Sequence, residues 1–142
     1  MTQTLDPRAP AQTMSVRYEG GERYEIAVRE HRVLVDQPVD AGGEDLAPTP
    51  TELFVASLAS CVAFYAGRYL SRHGLSREGL GVSITYRMAT DRPARVTDIH
   101  LTVSVPASLP DQRRPALLAV VEHCTVHNSL TNPPTVHIDL AG

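Results

Sequence analysis

The first third of the chain alternates between apolar and polar residues, the pattern of half-buried β-strands. Three short runs show it: V16-R-Y-E, Y24-E-I-A-V and V33-L-V. Glycines or charged residues typical of turns separate these runs, so we predict a meander of three antiparallel strands between Ser15 and Asp36. Residues 37–48, with their proline, glycine and acidic side chains, are predicted to form a loop.

The segment after this loop has the sequence of a helix start. Thr49 is placed to be the N-cap, Pro50 takes the first helical position, and Glu52 completes a Thr-x-x-Glu capping box. Residues 53–66 are apolar almost all round, which predicts a helix that is buried on most faces and runs to about Arg72. The uncharged run is shorter than the roughly 20 residues of a bilayer span, so we interpret the segment as a core helix.

The rest of the chain predicts further strands and helices. The expected elements are strands at 81–88 and 96–105, a helix from about 108 to 124 that is kinked or restarted at Pro115, a turn or short helix at 125–130, and a last strand at 135–140. The order β-β-β-α-β-β-α-β predicts an α+β fold with helices packed on antiparallel sheet. Because the first helix is apolar all round, we expect a second subunit to cover part of it.

Length, charge and composition indicate a single domain and exclude several classes of function. A chain of 142 residues is long enough for one domain, which we place at 14–142 after a flexible arm at 1–13. The net charge of −3 gives no reason to expect nucleic acid or an anionic membrane as partner. All 13 basic residues are arginine, so Schiff-base and P-loop lysine chemistry are excluded. The polar N-terminus has no apolar signal core, and we expect a cytoplasmic protein.

Two cysteines are the main candidates for chemistry. In a helix, Cys61 has Ser57, Leu58, Phe64 and Tyr65 as neighbours at three and four residues. Apolar surroundings raise the pKa of a thiol and make it inert, so a reactive Cys61 needs an arginine or histidine nearby. No helical neighbour supplies one. The residues by themselves therefore favour a cysteine that fills the core.

The second cysteine lies in His123-Cys124-x-x-His127, a plausible fragment of a metal site. A zinc site needs a fourth ligand, and no second pair at ligand spacing is found. Histidines that interact with a helix dipole are the simpler interpretation. Glu52 is explained by the capping box, and nine residues of helix place it roughly 13–14 Å along the axis from Cys61, on the opposite face.

Two segments together resemble the OsmC/Ohr family: P48-T-P-T-E-L-F-V-A-S-L-A-S-C61 and, some sixty residues later, H123-C-T-V-H-N-S-L130. The resemblance covers most of the chain. It implies an OsmC-like fold, in which a long central helix carries Cys61 and a second helix leads to Cys124. It also implies an intertwined homodimer with its active sites at the subunit interface. The family's characterised members are thiol-dependent peroxidases of organic hydroperoxides.

By this resemblance, Cys61 is the thiolate that attacks the peroxide and becomes a sulfenic acid, and Cys124 is the resolving thiol that forms a disulfide with it. An external dithiol, a lipoylated protein in the best-known branch, then reduces the disulfide. No bound cofactor or metal is implied. The neighbours Leu58, Phe64 and Tyr65 would form an apolar binding site suited to organic hydroperoxides.

The match differs from the peroxidase branch at several positions. The arginine that activates the cysteine in that branch corresponds to Arg23 in this chain, and Arg29 is the second candidate. Thr51 stands where that branch has a glutamate, and Glu52 is the acidic residue that remains, which places the chain nearer to the less characterised OsmC-like branch. Cys-Thr also replaces Cys-Pro in the second motif. Two alternatives stay open: a non-enzymatic dimer that binds a small apolar ligand at its interface, and a metal-binding protein that uses His123, Cys124 and His127.

Overall fold

The computed structural model describes residues 9–142, so the first eight residues of the predicted arm lie outside the described part. The chain divides into two compact units, Met1–Glu52 and Leu53–Gly142, which are described in turn. That residues 14–142 form a single domain stays a prediction.

The first unit contains the predicted meander. Its antiparallel sheet has the strand order β1-β2-β3, with β1 at Ser15–Gly20, β2 at Arg23–Val28 and β3 at His31–Val35. The register places Val16 opposite Ile26, and Ile26 opposite Val33, so apolar residues face one another across the sheet. The first turn uses Gly20 and Gly21, both with positive φ, a conformation that glycine adopts without steric cost.

The loop after β3 is organised by Asp36, whose side chain is only 1% exposed. Its carboxylate accepts hydrogen bonds from the backbone N–H groups of Gln37 at 2.7 Å, Glu44 at 3.3 Å and Leu46 at 3.0 Å. These bonds, that from Leu46 foremost, hold the pKa of Asp36 below its usual value against the opposing effect of burial. Apart from one 3-10 turn at Val39–Ala41, the predicted loop is confirmed.

The long helix α1 spans Pro50–Arg72, and the sequence predicted both of its ends. The Thr49 N–H donates to Glu52 Oε1 at 2.9 Å, and the Glu52 N–H donates to Thr49 Oγ1 at 3.1 Å, which completes the capping box. At the other end, Gly74 adopts a positive φ and the Leu75 N–H reaches back to the Leu70 carbonyl at 2.9 Å, as in a Schellman motif.

The second unit packs α1 against a β-hairpin and two short helices. The hairpin consists of β4 (Gly81–Met88) and β5 (Val96–Ser104), and the helices are α2 (Arg114–Val121) and α3 (Thr125–Thr131). One apolar cluster forms the core: Leu58, Val62, Ala66, Tyr69, Leu70, Leu109, Leu117, Val121 and Cys124. Half-buried residues of both strands pack against it. The α+β class is therefore confirmed, with two antiparallel sheets and three α-helices in the described residues.

The restart predicted near Pro115 is confirmed, but the predicted helix from about 108 to 124 was too long at both ends. A 3-10 turn at Asp111–Arg113 precedes α2, and α2 ends at Val121. Pro115 is tolerated because it lies in the first turn of α2, where its missing N–H has no intrahelical partner to lose. The chain then adopts an extended conformation at Cys124, which is the N-cap of α3 rather than part of a preceding helix.

The predicted last strand at 135–140 was also wrong. The described chain has no regular structure beyond α3, although the apolar and polar residues alternate. A strand needs the edge of another strand to bond to, and within residues 9–142 none pairs with this segment. Val136, Ile138 and Leu140 are 73%, 87% and 100% exposed as a result.

With its 23 residues, α1 is long and apolar enough to cross a membrane by length and composition alone. The core helix of a globular protein passes the same test. Here eight residues of α1 are buried, most of them in the core cluster. This packing agrees with the interpretation of the segment as a core helix.

Candidate active site

The two cysteines lie together in the second unit. Cys61 is half-buried on α1, whereas Cys124 is completely buried at the start of α3. Both are free thiols. The Cys61 side chain packs against the core cluster that contains Cys124, and the two thiols are close enough for Cys61 to raise the pKa of Cys124. The structure thus brings together two residues that are 63 positions apart in the sequence.

The two thiols differ in their surroundings. Burial raises the pKa of Cys124, and the neighbouring Cys61 thiol raises it further. The backbone N–H of His127, which donates to Cys124 Sγ at 3.4 Å, opposes this rise in pKa and does not overcome it. The Cys124 thiol is therefore protonated near neutral pH and shielded from solvent, and Cys61 is the more accessible of the two thiols.

Two of the predicted substrate-binding residues, Phe64 and Tyr65, lie on α1 within one helical turn of Cys61. The Tyr65 hydroxyl and Thr125 Oγ1 are 2.8 Å apart, a hydrogen bond between α1 and the first residue of α3, next to Cys124. Phe64 is 60% exposed and meets the Tyr65 ring edge to face, at 5.8 Å between centroids. Leu58 is buried in the core cluster.

An apolar groove of about 550 Å³ lies on the same unit. Its lining includes Phe54, Leu58, Val62, Ile99, Leu101 and Leu130. Of the three predicted binding residues only Leu58 contributes to this groove. We missed Phe54 and Val62, yet they occur four residues before and after Leu58 and so share one face of the helix. That spacing was the available signal.

The two other predicted catalytic residues belong to the first unit. Glu52 carries out the capping described above. Arg23 is mostly buried, with Nη1 at 2.6 Å from Glu44 Oε1, and its positive charge also lowers the pKa of Asp36. The reserve candidate, Arg29, lies exposed in the turn between β2 and β3. A role for any of these residues at the thiols stays a prediction.

The residues of the metal-binding alternative have other contacts. His123 Nδ1 bonds the Ala119 carbonyl at 2.8 Å, and His127 meets Cys124 through its backbone N–H rather than its ring. Among the described residues, no three His, Cys, Asp or Glu side chains converge as a metal site would require.

Comparison with known proteins shows the family to which the chain belongs. The model of the family described as OsmC-like protein matches residues 42–139, more than half of the chain. A structure from Psychrobacter arcticus, described as an osmotic stress induced and detoxification response protein, is 27% identical, with a TM-score of 0.77 over 87% of this chain and 90% of that one. Among curated protein sequences, none matches.

More distant structures share the fold. An OsmC like protein from Mycoplasma pneumoniae is 13% identical, with a TM-score of 0.73 over 87% of this chain and 89% of that one. The organic hydroperoxide resistance protein OhrB of Bacillus subtilis is 16% identical, with a TM-score of 0.58 over 87% of this chain and 92% of that one.

Proposed function

This chain belongs to the OsmC-like family, and from that premise we propose that it is a thiol-dependent peroxidase of organic hydroperoxides. The observation that carries the proposal is the pairing of a half-buried Cys61 with a completely buried Cys124. A peroxidase of this kind needs one thiol that the substrate can reach and a second thiol close enough to form a disulfide with it. The presence of a hydroperoxide resistance protein among the structural neighbours agrees with this function.

The proposed reaction has three steps. The Cys61 thiolate attacks the terminal oxygen of the hydroperoxide, the O–O bond breaks, and the alkoxide takes a proton and leaves as an alcohol. Cys61 is then a sulfenic acid. Cys124 loses its proton and attacks this sulfur, which forms a disulfide and releases water. An external dithiol, for which a lipoylated protein is a candidate, reduces the disulfide to two thiols and becomes a disulfide itself.

The first step needs a cation that favours the thiolate, and Arg23 is our candidate, with Arg29 in reserve. Arg23 is a suitable choice because it is held by Glu44 and is not loose in solvent. Thr51 is uncharged and cannot form an ion pair with an arginine. Glu52 forms the two hydrogen bonds of the helix cap with Thr49. We therefore assign Glu52 a supporting role, through the start of α1, rather than a role in proton transfer.

The first test is kinetic. The purified protein is mixed with cumene hydroperoxide and a dithiol, and peroxide consumption is compared between wild type, Cys61→Ser and Cys124→Ser. We expect Cys61→Ser to lose the activity almost completely, by a factor of at least about 10³ given that the nucleophile itself is removed. Without added dithiol, Cys124→Ser should consume about one peroxide per chain and stop as a Cys61 sulfenic acid, whereas wild type should stop as a Cys61–Cys124 disulfide. Equal consumption by wild type and Cys61→Ser would refute the proposal.

A second candidate function is a non-enzymatic protein that binds a small apolar ligand, and the apolar groove of about 550 Å³ favours it. Alkylation by iodoacetamide near pH 6 separates the two. A thiol poised for catalysis is alkylated rapidly at that pH, whereas a packing thiol reacts slowly. Fast alkylation of Cys61 with Cys124 unmodified supports the peroxidase, and slow alkylation of both supports the binding protein.

We also propose that the protein acts in the cytoplasm as a homodimer. Several large apolar side chains of the second unit are exposed in the single chain, among them Phe54, Phe64 and Leu118 on the helices and Ile138 in the C-terminal segment. Exposed apolar surface of this kind marks an interaction site. A second copy of the chain is the partner that would cover it.

A further inference from the structure

A second recess in the Leu53–Gly142 unit is basic and aromatic. Its volume is about 440 Å³, and two arginines, two histidines and two tyrosines line it: Arg68, Arg72, His73, His123, Tyr65 and Tyr69. No carboxylate is part of the lining. We propose that this basic recess binds an oxyanion, a phosphate or a carboxylate, carried on a small aromatic or apolar molecule.

Arg68 is held in place for such a ligand. Its Cζ lies 4.8 Å from the centroid of the Tyr65 ring and 5.5 Å from that of Phe64, and the side chain is half-buried. Cation–π attraction at these distances keeps the guanidinium against the rings. Its N–H donors form a rigid fork that matches two oxygens of a phosphate or carboxylate, so little side-chain entropy is lost on binding.

Within residues 9–142, no carboxylate compensates the arginine charges in the basic recess. Arg68 and Arg72 are four residues apart on one helix face, an arrangement in which like charges repel each other. Among the described residues, five other arginines form ion pairs: Arg17, Arg23, Arg32, Arg95 and Arg114. No described ion pair includes Arg68 or Arg72. An oxyanion between them would remove this repulsion.

The two histidines are fixed by their own helices. His73 Nδ1 bonds the Tyr69 carbonyl at 2.9 Å, and His123 Nδ1 bonds the Ala119 carbonyl at 2.8 Å. A carbonyl oxygen only accepts, so Nδ1 carries a proton in both rings, and Nε2 donates a hydrogen bond to an oxyanion only when the ring is doubly protonated. The Tyr69 ring lies 4.2 Å from that of His73, and with Val120 it provides a surface for the aromatic or apolar part of the ligand.

The simpler alternative is that these basic residues serve only the helices. Arg72 and His73 lie at the C-terminal end of α1 and His123 follows the end of α2, where positive charge interacts favourably with the helix dipole. That role requires no ligand and is insensitive to added oxyanions. Binding measurements therefore distinguish the two.

Isothermal titration calorimetry at low ionic strength, in a buffer without phosphate, tests the proposal with phenyl phosphate and benzoate, which carry the two oxyanions on the same ring. We expect at least one of them to bind with one site per chain. Phenol, which lacks the anion, should not bind. Inorganic phosphate, which lacks the ring, should bind more weakly. Arg68→Gln should weaken binding about tenfold to a hundredfold, as expected for the loss of a charge-assisted hydrogen bond.

The matched control is Arg113→Gln, which removes the same charge from an exposed position of the same unit and should bind like wild type. Cys61→Ser should also bind like wild type, because the proposal does not depend on peroxidase activity. If Arg68→Gln does not fold, as judged by its circular dichroism, Arg72→Gln at an exposed position is used instead and should give the same loss. Absence of saturable binding by both aromatic anions, or equal affinity in the arginine variants and wild type, would overturn the proposal.

Discussion

The carboxylate of Asp36 satisfies three backbone N–H groups of the loop that follows β3. Without it, these donors would lie in a part-buried region with no acceptor, a costly state for a polar group. One of the three belongs to Glu44, whose side chain pairs with Arg23. Asp36 therefore fixes, through the backbone, the residue that holds the candidate arginine.

Asp36 makes the stability of the protein depend on pH. Its pKa is lowered in the folded state relative to the usual value of 3.8, so the folded form binds fewer protons than the unfolded form. The stabilisation is therefore fully present above about pH 4 and is lost as the pH falls further. We expect Asp36→Asn to lower the melting temperature at pH 7 by several degrees and to flatten the decline of that temperature below pH 4.

Asp40→Asn is the control for this prediction, since Asp40 lies exposed in the same loop. Thermal unfolding followed by circular dichroism over a pH series measures both variants. If Asp36→Asn melted like wild type at pH 7 and with the same dependence on pH in acid, the assigned role of the carboxylate would be wrong.

Single residues could be predicted only where their partners are close in sequence. The capping box of Thr49 and Glu52 spans four positions, and both of its hydrogen bonds were expected from the motif. The ion pair between Arg23 and Glu44 joins residues 21 positions apart across a loop, and no local pattern indicates it. The same holds for the hydrogen bond between Tyr65 and Thr125.

At the scale of elements, hydrophobic pattern and end signals predicted β1 to β5 and α1 well. After Val105 they predicted the short helix α3, but they misplaced the ends of the helix before Cys124 and predicted a last strand that is not present in the described residues. The apolar run before Cys124 fits a continuous helix, yet the chain breaks after Val121 so that Cys124 becomes the N-cap of α3 and its sulfur accepts from the His127 N–H. An N-cap cysteine is an uncommon signal compared with serine, threonine, aspartate or asparagine, which is why the pattern did not reveal it.

The break after α2 positions Cys124 against α1, and a Cys61–Cys124 disulfide would link two elements that are distant in sequence. Such a bridge closes a loop of about 60 residues and should stabilise the protein by about 4 kcal/mol in the chain-entropy model. We expect the oxidised protein to unfold at a higher guanidinium concentration than the reduced protein. Mass spectrometry of tryptic peptides should show the two cysteines linked.

Cys124→Ser treated with cumene hydroperoxide is the control, and the guanidinium concentration at which it unfolds should not increase. It separates the effect of the bridge from other effects of oxidation. A bridged protein that unfolds at the same denaturant concentration as the reduced form would show that strain in the folded state offsets the gain in chain entropy. Absence of the bridged peptide would contradict the proposed resolving role of Cys124.

At the scale of the whole molecule, both the sequence and the structure contain apolar surface that a second subunit would cover. The all-round apolar helix led us to expect a second subunit, and the exposed Phe54 and Phe64 on α1 agree with that expectation. The segment at 135–140 has the alternation of a strand, but no strand within the described part of the chain pairs with it. A strand forms only against the edge of another strand, so a partner edge on a second copy of the chain would account for the difference between the pattern and the structure.

We therefore expect the protein to be a homodimer in which the apolar positions of the C-terminal segment are covered. Light scattering after gel filtration should give twice the chain mass of 15.4 kDa. Ile138→Glu introduces a charge at an 87% exposed apolar position and should weaken the dimer, because a charge buried in an apolar interface has no partner.

His137→Glu is the matched control, since neighbouring residues of an extended segment point to opposite sides and this position is polar already. It should remain dimeric at concentrations where Ile138→Glu dissociates. Wild-type protein of single-chain mass, or equal dissociation of the two variants, would show that this segment has no part in dimer formation.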